Sequence, residues 1–273
     1  MIASSAASRP SLNQAELGAA VTGRGGFWRA VIVTEQTRST NDDLLAAARA
    51  GRPPGTAEGT VLVAEAQSAG RGRLGRSWVS PPRAALTFSV LLRPAAVPAA
   101  RRGWVPLLAG VAIATALRAE TAVPAWLKWP NDVLVHEAKL AGILAEQAGD
   151  AIVVGAGINT TTGRDELPGP QATSLALAGA AVTDRGALLT AILAELERQY
   201  LSWTRAAGDP DACGLRESYQ RLCSTLGREV RVTLPGGAVV TGTAALVDQS
   251  GRLVVESASG PVPVSAGDVV HVR

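Results

Sequence analysis

Two lysines mark the part of this chain best suited to chemistry. Of the 26 basic residues only Lys128 and Lys139 are lysine. They bracket a single stretch, from Leu127-Lys128-Trp129-Pro130-Asn131-Asp132 to Lys139-Leu140-Ala141-Gly142-Ile143. An ammonium is a compact point charge on a flexible stem, whereas a guanidinium is a planar five-donor fork. Coding bias towards Ala, Gly and Arg accounts for the overall depletion but not for where the two survivors sit, so each is a candidate for work that arginine cannot do. A second cluster lies upstream, Gly70-Arg71-Gly72-Arg73-Leu74-Gly75-Arg76. Its glycines let the backbone turn tightly and approach a ligand, and its arginines present forks that match carboxylate or phosphate oxygens. The surrounding segment, 66–119, holds eight arginines (71, 73, 76, 83, 93, 101, 102 and 118) and no Asp or Glu. It suits an anionic ligand; the alternative is a solvated basic face.

These residues need elements to carry them. Residues 1–26 form a polar arm with a short helix near 12–20. Strands are expected at 28–35, 60–66 and 86–92, and a helix at 41–50, which Ser39 or Thr40 is placed to cap. Residues 102–120 read as a buried apolar helix. Residues 126–129 and 132–135 form a hairpin about Pro130-Asn131, and two further strands follow at 140–147 and 151–158. Helices are expected at 186–206 and 211–225. Beyond Gly227, short β segments separated by Gly, Pro, Asp and Ser turns indicate a small all-β barrel. The resulting division is an arm (1–26), a larger mixed domain (27–225) and a barrel (226–273).

Composition excludes several function classes. At 273 residues and 47% hydrophobic the chain is globular, and a net charge of +3 is too small to indicate a nucleic-acid surface. Two cysteines, Cys213 and Cys223, form no Cys-x-x-Cys and suit a reducing cytosol. With only His136 and His271, a His/Cys metal site or a Ser-His-Asp triad has little to draw on. No signal peptide is visible, and the most apolar stretch, 104–117, falls short of the roughly 20 residues a membrane span needs. The Gly/Arg loop formally fits Gly-x-Gly-x-x-Gly. However, Ser77-Trp78-Val79-Ser80-Pro81-Pro82 cannot open a helix behind it, and no acid follows until Glu120. A dinucleotide site is therefore rejected.

The blocks Gly70 to Trp78, Lys128 to Asp132, Lys139 to Glu146 and Gly155 to Asn159, with Ser39-Thr40-Asn41 upstream and Gln67 before the loop, resemble in order and spacing the signatures of biotin–protein ligases. The resemblance runs from about residue 28 to the end. It implies an α+β fold, with a class II synthetase-like mixed sheet and packed helices followed by an SH3-like barrel. It also implies a two-step reaction: biotin and MgATP form biotinyl-5′-AMP, and a lysine of a biotin carboxyl carrier domain then attacks it. By the same resemblance Arg71, Arg73, Lys128, Lys139 and Asp132 are catalytic. Ser39, Thr40, Asn41, Gln67, Arg71, Gly72, Arg73, Lys139 and Gly142 bind biotin, and Trp78, Asn131, Asn159, Arg73 and Lys128 serve the nucleotide. Asp132 either holds Mg²⁺ or steers the incoming lysine. The implied location is the cytoplasm, as a monomer or weak homodimer. The short segment before the first strand leads to an expectation of no specific DNA binding. The Gly/Arg loop is expected to order on binding ligand. Plain readings stay open beside these: Ser39 and Thr40 as a cap only, Trp78 and Trp129 as core aromatics, Gly142 as a packing residue. The competing activity is a lipoate or octanoate ligase or transferase, against which the polar set at residues 39–41 and Gln67 argues.

Overall fold

The computed structural model describes residues 9–23, 26–51 and 57–272. Residues 1–8, 24 and 25 of the expected arm therefore lie outside the described residues. The elements run α1 (Gln14–Val21), β1 (Ala30–Thr34), α2 (Thr40–Ala50), β2 (Thr60–Ala64), β3 (Ala85–Leu92), α3 (Val105–Thr121), β4 (Trp126–Lys128), β5 (Asp132–Val135), β6 (Ala138–Ala148), β7 (Ala151–Asn159), α4 (Arg185–Arg205) and α5 (Leu215–Leu222). Then come β8 (Glu229–Thr233), β9 (Val239–Val247), β10 (Leu253–Ser257), β11 (Gly260–Val264) and β12 (Asp268–His271).

Strands β1 to β7 form one mixed sheet in the order β1-β2-β3-β7-β6-β5-β4. Only β1 and β2 are parallel, with α2 as their crossover; every other neighbour is antiparallel. β3 and β7 are buried along their whole length, which is why they read as apolar and small residues without a polar alternation. Helix α3 packs against the sheet and α4, and residues such as Leu107, Leu108 and Leu117 are almost fully buried. Each contributes about 1.5–3 kcal/mol on leaving water. At its end Arg118 donates to the Ala125 carbonyl at 2.8 Å and lies 4.6 Å over the Trp126 ring, which fixes the start of β4. Helix α2 covers the opposite face, with Leu44 and Leu45 packed on Leu62, Leu91 and Val153.

The second sheet is antiparallel, order β11-β10-β9-β8-β12, as the turn spacing after Gly227 predicts. Two buried tryptophans fasten it to the rest. Trp104 Nε1 donates to the Gln249 carbonyl at 3.0 Å and Trp129 Nε1 to that of Gly251 at 3.2 Å. The helix expected over 211–225 is shorter than its pattern. Gly214 takes φ 71° and begins α5, while Cys223 turns extended so that Ser224 N–H can donate to the Leu127 carbonyl at 2.7 Å. The tail of that segment thus covers the β4 edge of the sheet. No helix among the described residues is long and apolar enough to cross a membrane.

Candidate active site

The floor of the main cleft is a rung of small residues. In register across β3, β7, β6 and β5 stand Thr87, Gly157, Gly142 and Asp132, and directly opposed residues share a face of the sheet. The Trp78 indole lies on the two central glycines. A methyl at Gly157 would fall inside its five-membered ring edge, and one at Gly142 would lie 3.4 Å from Cζ3. The next rung pairs Ser89 with Gly155, and there the missing side chain makes room for the Asn41 amide. The cleft has a volume of about 260 Å³.

One end of the cleft is neutral and polar. Ser39 caps α2, its hydroxyl accepting from Asp42 N–H at 3.3 Å, so the cap reading holds and the residue still lines the cleft. Gln67 Oε1 accepts from Thr40 N–H at 2.8 Å and from its hydroxyl at 3.1 Å. Ser89 Oγ lies 2.7 Å from Thr40 Oγ1 and donates to Asn41 Oδ1 at 2.6 Å. Asn41 Nδ2 in turn donates to Glu146 at 2.9 Å and to the Leu144 carbonyl at 3.2 Å. Asn41 is therefore a buried strut that holds the start of α2 to β3 and β6. A network with its partners in place offers rigid donors and acceptors.

The other end is cationic. The Gly/Arg loop is closed at its neck by Trp78 N–H to the Gly70 carbonyl at 2.8 Å, and at its tip by Gly72 N–H to that of Arg76 at 2.6 Å. Contrary to an unsupported loop, it has packing partners. Arg71 pairs with Asp42 at 2.9 Å and with Glu146. Arg76 pairs with Asp268 of β12. Arg73 reaches across the cleft to Asn131 Oδ1 at 3.2 Å, and Asn131 Nδ2 donates to the Ile143 carbonyl at 3.0 Å. Burial lowers the Arg73 pKa, against the opposing pull of Asp132 and Asp268. Lys139 Nζ stands 2.7 Å from Asp132 Oδ1, a charge contact without an aligned hydrogen bond. Lys139 is itself held by its backbone, which pairs with the 171–173 segment: its N–H donates to the Gln171 carbonyl at 2.7 Å and its carbonyl accepts from Thr173 N–H at 2.9 Å. Lys128 lines the same end. Among the described residues no three His, Cys, Asp or Glu side chains cluster to form a metal site.

The structure thus gathers Ser39, Thr40, Asn41, Gln67, Arg71, Gly72, Arg73, Trp78, Lys128, Asn131, Asp132, Lys139 and Gly142 around one cleft. It does not bring Asn159 there. That residue is buried at the far end of β7, its Nδ2 engaged by the Thr173 carbonyl at 3.0 Å and its carbonyl by Leu175 N–H. Trp129 lines the cleft but its main work is the bolt to Gly251. Sequence reasoning missed Gly157 and the β12 wall of Asp268, Val269 and Val270 in the lining, and Ser89 and Glu146 behind it, which hold Asn41 and Arg71. The spacing of Gly155 and Gly157 was a usable signal, since residues two apart on a strand share a face. Nothing local marks Asp268.

Residues 33–159 match the Biotin/lipoate A/B protein ligase family and residues 225–272 the biotin protein ligase C terminal domain. The chain is 44% identical over 268 residues to the biotin--[acetyl-CoA-carboxylase] ligase of Mycobacterium tuberculosis, covering 97% of each chain. It is 33% identical over 217 residues to the bifunctional ligase/repressor BirA of Escherichia coli, covering 77% of this chain and 66% of that one. The structure of biotin protein ligase from Aquifex aeolicus in complex with biotin and ATP is similar with a TM-score of 0.72 and 29% identity, over 90% of this chain and all of that one. Near-complete coverage at this identity, together with a cleft assembled from the motif residues, makes the chain a member of the biotin protein ligase family.

Proposed function

We propose that the protein attaches biotin to a lysine of a biotin carboxyl carrier domain, through biotinyl-5′-AMP, in the cytoplasm. One observation carries this reading: a single cleft runs from a hydrogen-bonded neutral end to a cationic end. The ureido ring of biotin needs partners for its carbonyl and N–H groups, and leaving one unpaired costs about 1–3 kcal/mol; Ser39, Thr40 and Gln67 supply them. Trp78, assigned by resemblance to the nucleotide, lies on the glycine floor and there offers an apolar wall to the aliphatic chain instead. The carboxylate then lies among Arg71, Arg73 and Lys139.

In the first step a carboxylate oxygen attacks the α-phosphorus and pyrophosphate leaves. Two anions must be brought together, so positioning and charge stabilisation supply the catalysis. Arg73 and Lys128 neutralise the phosphates. Lys139, on a flexible stem, follows the charge from carboxylate to adenylate. In the second step the acceptor amine attacks the acyl carbon, an amide forms and AMP leaves with the bonding electrons. Mg²⁺ would enter as part of MgATP and supply charge neutralisation at the phosphates. Asp132, which lines the cationic end beside Lys139, would hold the ion or steer the incoming amine once Lys139 turns to the ligand.

Biotin-dependent exchange between ATP and labelled pyrophosphate tests the reading on the wild type and on Lys139→Ala, followed by mass spectrometry of a carrier domain incubated with biotin, lipoate or octanoate. Exchange with biotin, its loss in the variant at unchanged melting temperature, and a biotin adduct alone support the assignment. Full exchange in the variant overturns the role of Lys139, and an octanoyl or lipoyl adduct overturns the substrate.

A further inference from the structure

The C-terminal sheet enters the cleft through one charged side chain. Asp268 opens β12, the edge strand of its sheet, and with Val269 and Val270 it lines the cleft opposite the Gly/Arg loop. Its carboxylate pairs with Arg76, which lines the same space. Neither partner is buried: the side chains are 63% and 44% exposed. Exposed pairs of this kind exchange readily and contribute little to stability. The two sheets are held together elsewhere, by the buried Trp104 and Trp129 hydrogen bonds. An Arg76–Asp268 pair is therefore not needed as a bolt. What it does is keep a third loop guanidinium at the mouth, held first by Asp268 and also attracted by Asp132, beside the like charge of Arg73. The same pattern recurs at two other cations of the cleft. Arg71 rests on Asp42 and Glu146, and Lys139 on Asp132.

We propose that Asp268 is a place-holder anion, which holds Arg76 over the cleft until the phosphates of the nucleotide displace it. The inference rests on the nucleotide-dependent reading above. Binding is then an exchange of one anion for another on Arg76, at the contact between the Gly/Arg loop and the C-terminal sheet. Arg76 becomes a phosphate contact that sequence reasoning did not assign, and Asp268 a positioning residue that competes with the substrate.

The place-holder and a simple structural clasp differ in sign. A clasp predicts that removing either partner weakens nucleotide binding. A place-holder predicts that the two substitutions act oppositely. The experiment is the KM for ATP in biotin-dependent pyrophosphate exchange, measured for wild type, Arg76→Gln, Asp268→Asn, Asp268→Glu and the double Arg76→Gln/Asp268→Asn, with melting temperatures alongside. Arg76→Gln should raise the KM by roughly tenfold, the weight of one charged hydrogen bond to phosphate. Asp268→Asn should lower it by roughly two- to fivefold, the weight of an exposed ion pair, and Asp268→Glu should stay near wild type. In the double variant Asp268→Asn should have no further effect. A KM raised by Asp268→Asn, or lowered by it equally when Arg76 is absent, overturns the proposal. Absence of biotin-dependent exchange in the wild type would instead refute the underlying reading.

Discussion

Replacing Gly157 with alanine should do more damage than its one methyl group suggests. An ideal Cβ there falls against three atoms of the Trp78 indole, with Cζ2 at 2.7 Å. The sheet lies directly beneath the ring, so the ring must lift off the floor into the cleft. Overpacking of this kind costs about 1–3 kcal/mol, or about 2–4 °C of melting temperature per kcal/mol for a chain of this size. Displacing the wall of the acyl site should raise the KM for biotin about tenfold. Gly142→Ala is the internal control: its nearest neighbours are Lys139 Cε and Nζ at 3.3 Å, the far end of a flexible side chain, and Trp78 Cζ3 at 3.4 Å. It should shift the KM by no more than about threefold, roughly 0.6 kcal/mol. Because the injury at Gly157 acts through the ring, it should vanish in a Trp78→Ala background, giving a coupling energy of about 1 kcal/mol or more in a double-mutant cycle. Pyrophosphate exchange at varied biotin and thermal melts supply both sets of numbers. Additive effects of the two substitutions, or an unchanged biotin KM in Gly157→Ala, would refute the account of the glycine floor.

Three further outcomes follow from the same structure. Lys139→Arg keeps the charge beside Asp132 but replaces the point charge with a fork; exchange kcat/KM should fall by about 10²-fold or more, as when one preorganised donor is lost, with the melting temperature unchanged. Glu65→Gln leaves Arg185 charged in a site where the two side chains are 1% and 6% exposed. It should cost about 3–5 kcal/mol and raise protease sensitivity near residues 10–12, because Glu65 also accepts from Leu12 N–H at 2.5 Å and Arg185 donates to the Pro10 carbonyl at 2.6 Å. His271 is depressed to about 4, first by burial and then by Lys128 and Arg228. The unfolded chain, titrating near 6.5, then binds more protons between the two values, and stability is lost as pH falls from about 6.5 to about 4. Discounted for partial exposure the loss is of order 1 kcal/mol, and His271→Gln should flatten that part of a melting-temperature profile.

Local features were legible in the sequence, and long-range pairings were not. The apolar run of α3, the capping hydroxyl of Ser39 and the turn chemistry after Gly227 act within a few residues, so pattern reveals them. The end of α5 was misread because its limit is set by tertiary pairing of Ser224 with Leu127, far away in sequence. Asn159 belongs to a block with the right signature but sits beyond the rung that forms the floor, which only the register of β3 on β7 decides.

The acid-free segment 66–119 shows the same division in its charges. By composition it offers eight arginines to an anion. Folding supplies carboxylates from outside the segment: Asp42 and Glu146 to Arg71, Asp268 to Arg76, Glu35 to Arg83, Asp150 to Arg93 and Asp209 to Arg101. Arg102 and Arg118 are spent on backbone carbonyls. Among the described residues Arg73 alone of the eight has neither a carboxylate ion pair nor a backbone acceptor; it has only the Asn131 amide oxygen, in a place where burial works against its charge. A half-buried cation with a neutral hydrogen-bond partner gains when an anion joins it. The eight candidates thus reduce to Arg73, which feels the fields of Asp132 and Asp268 without pairing with either, flanked by Arg71 and Arg76, whose carboxylates can be exchanged for the anionic groups of a ligand.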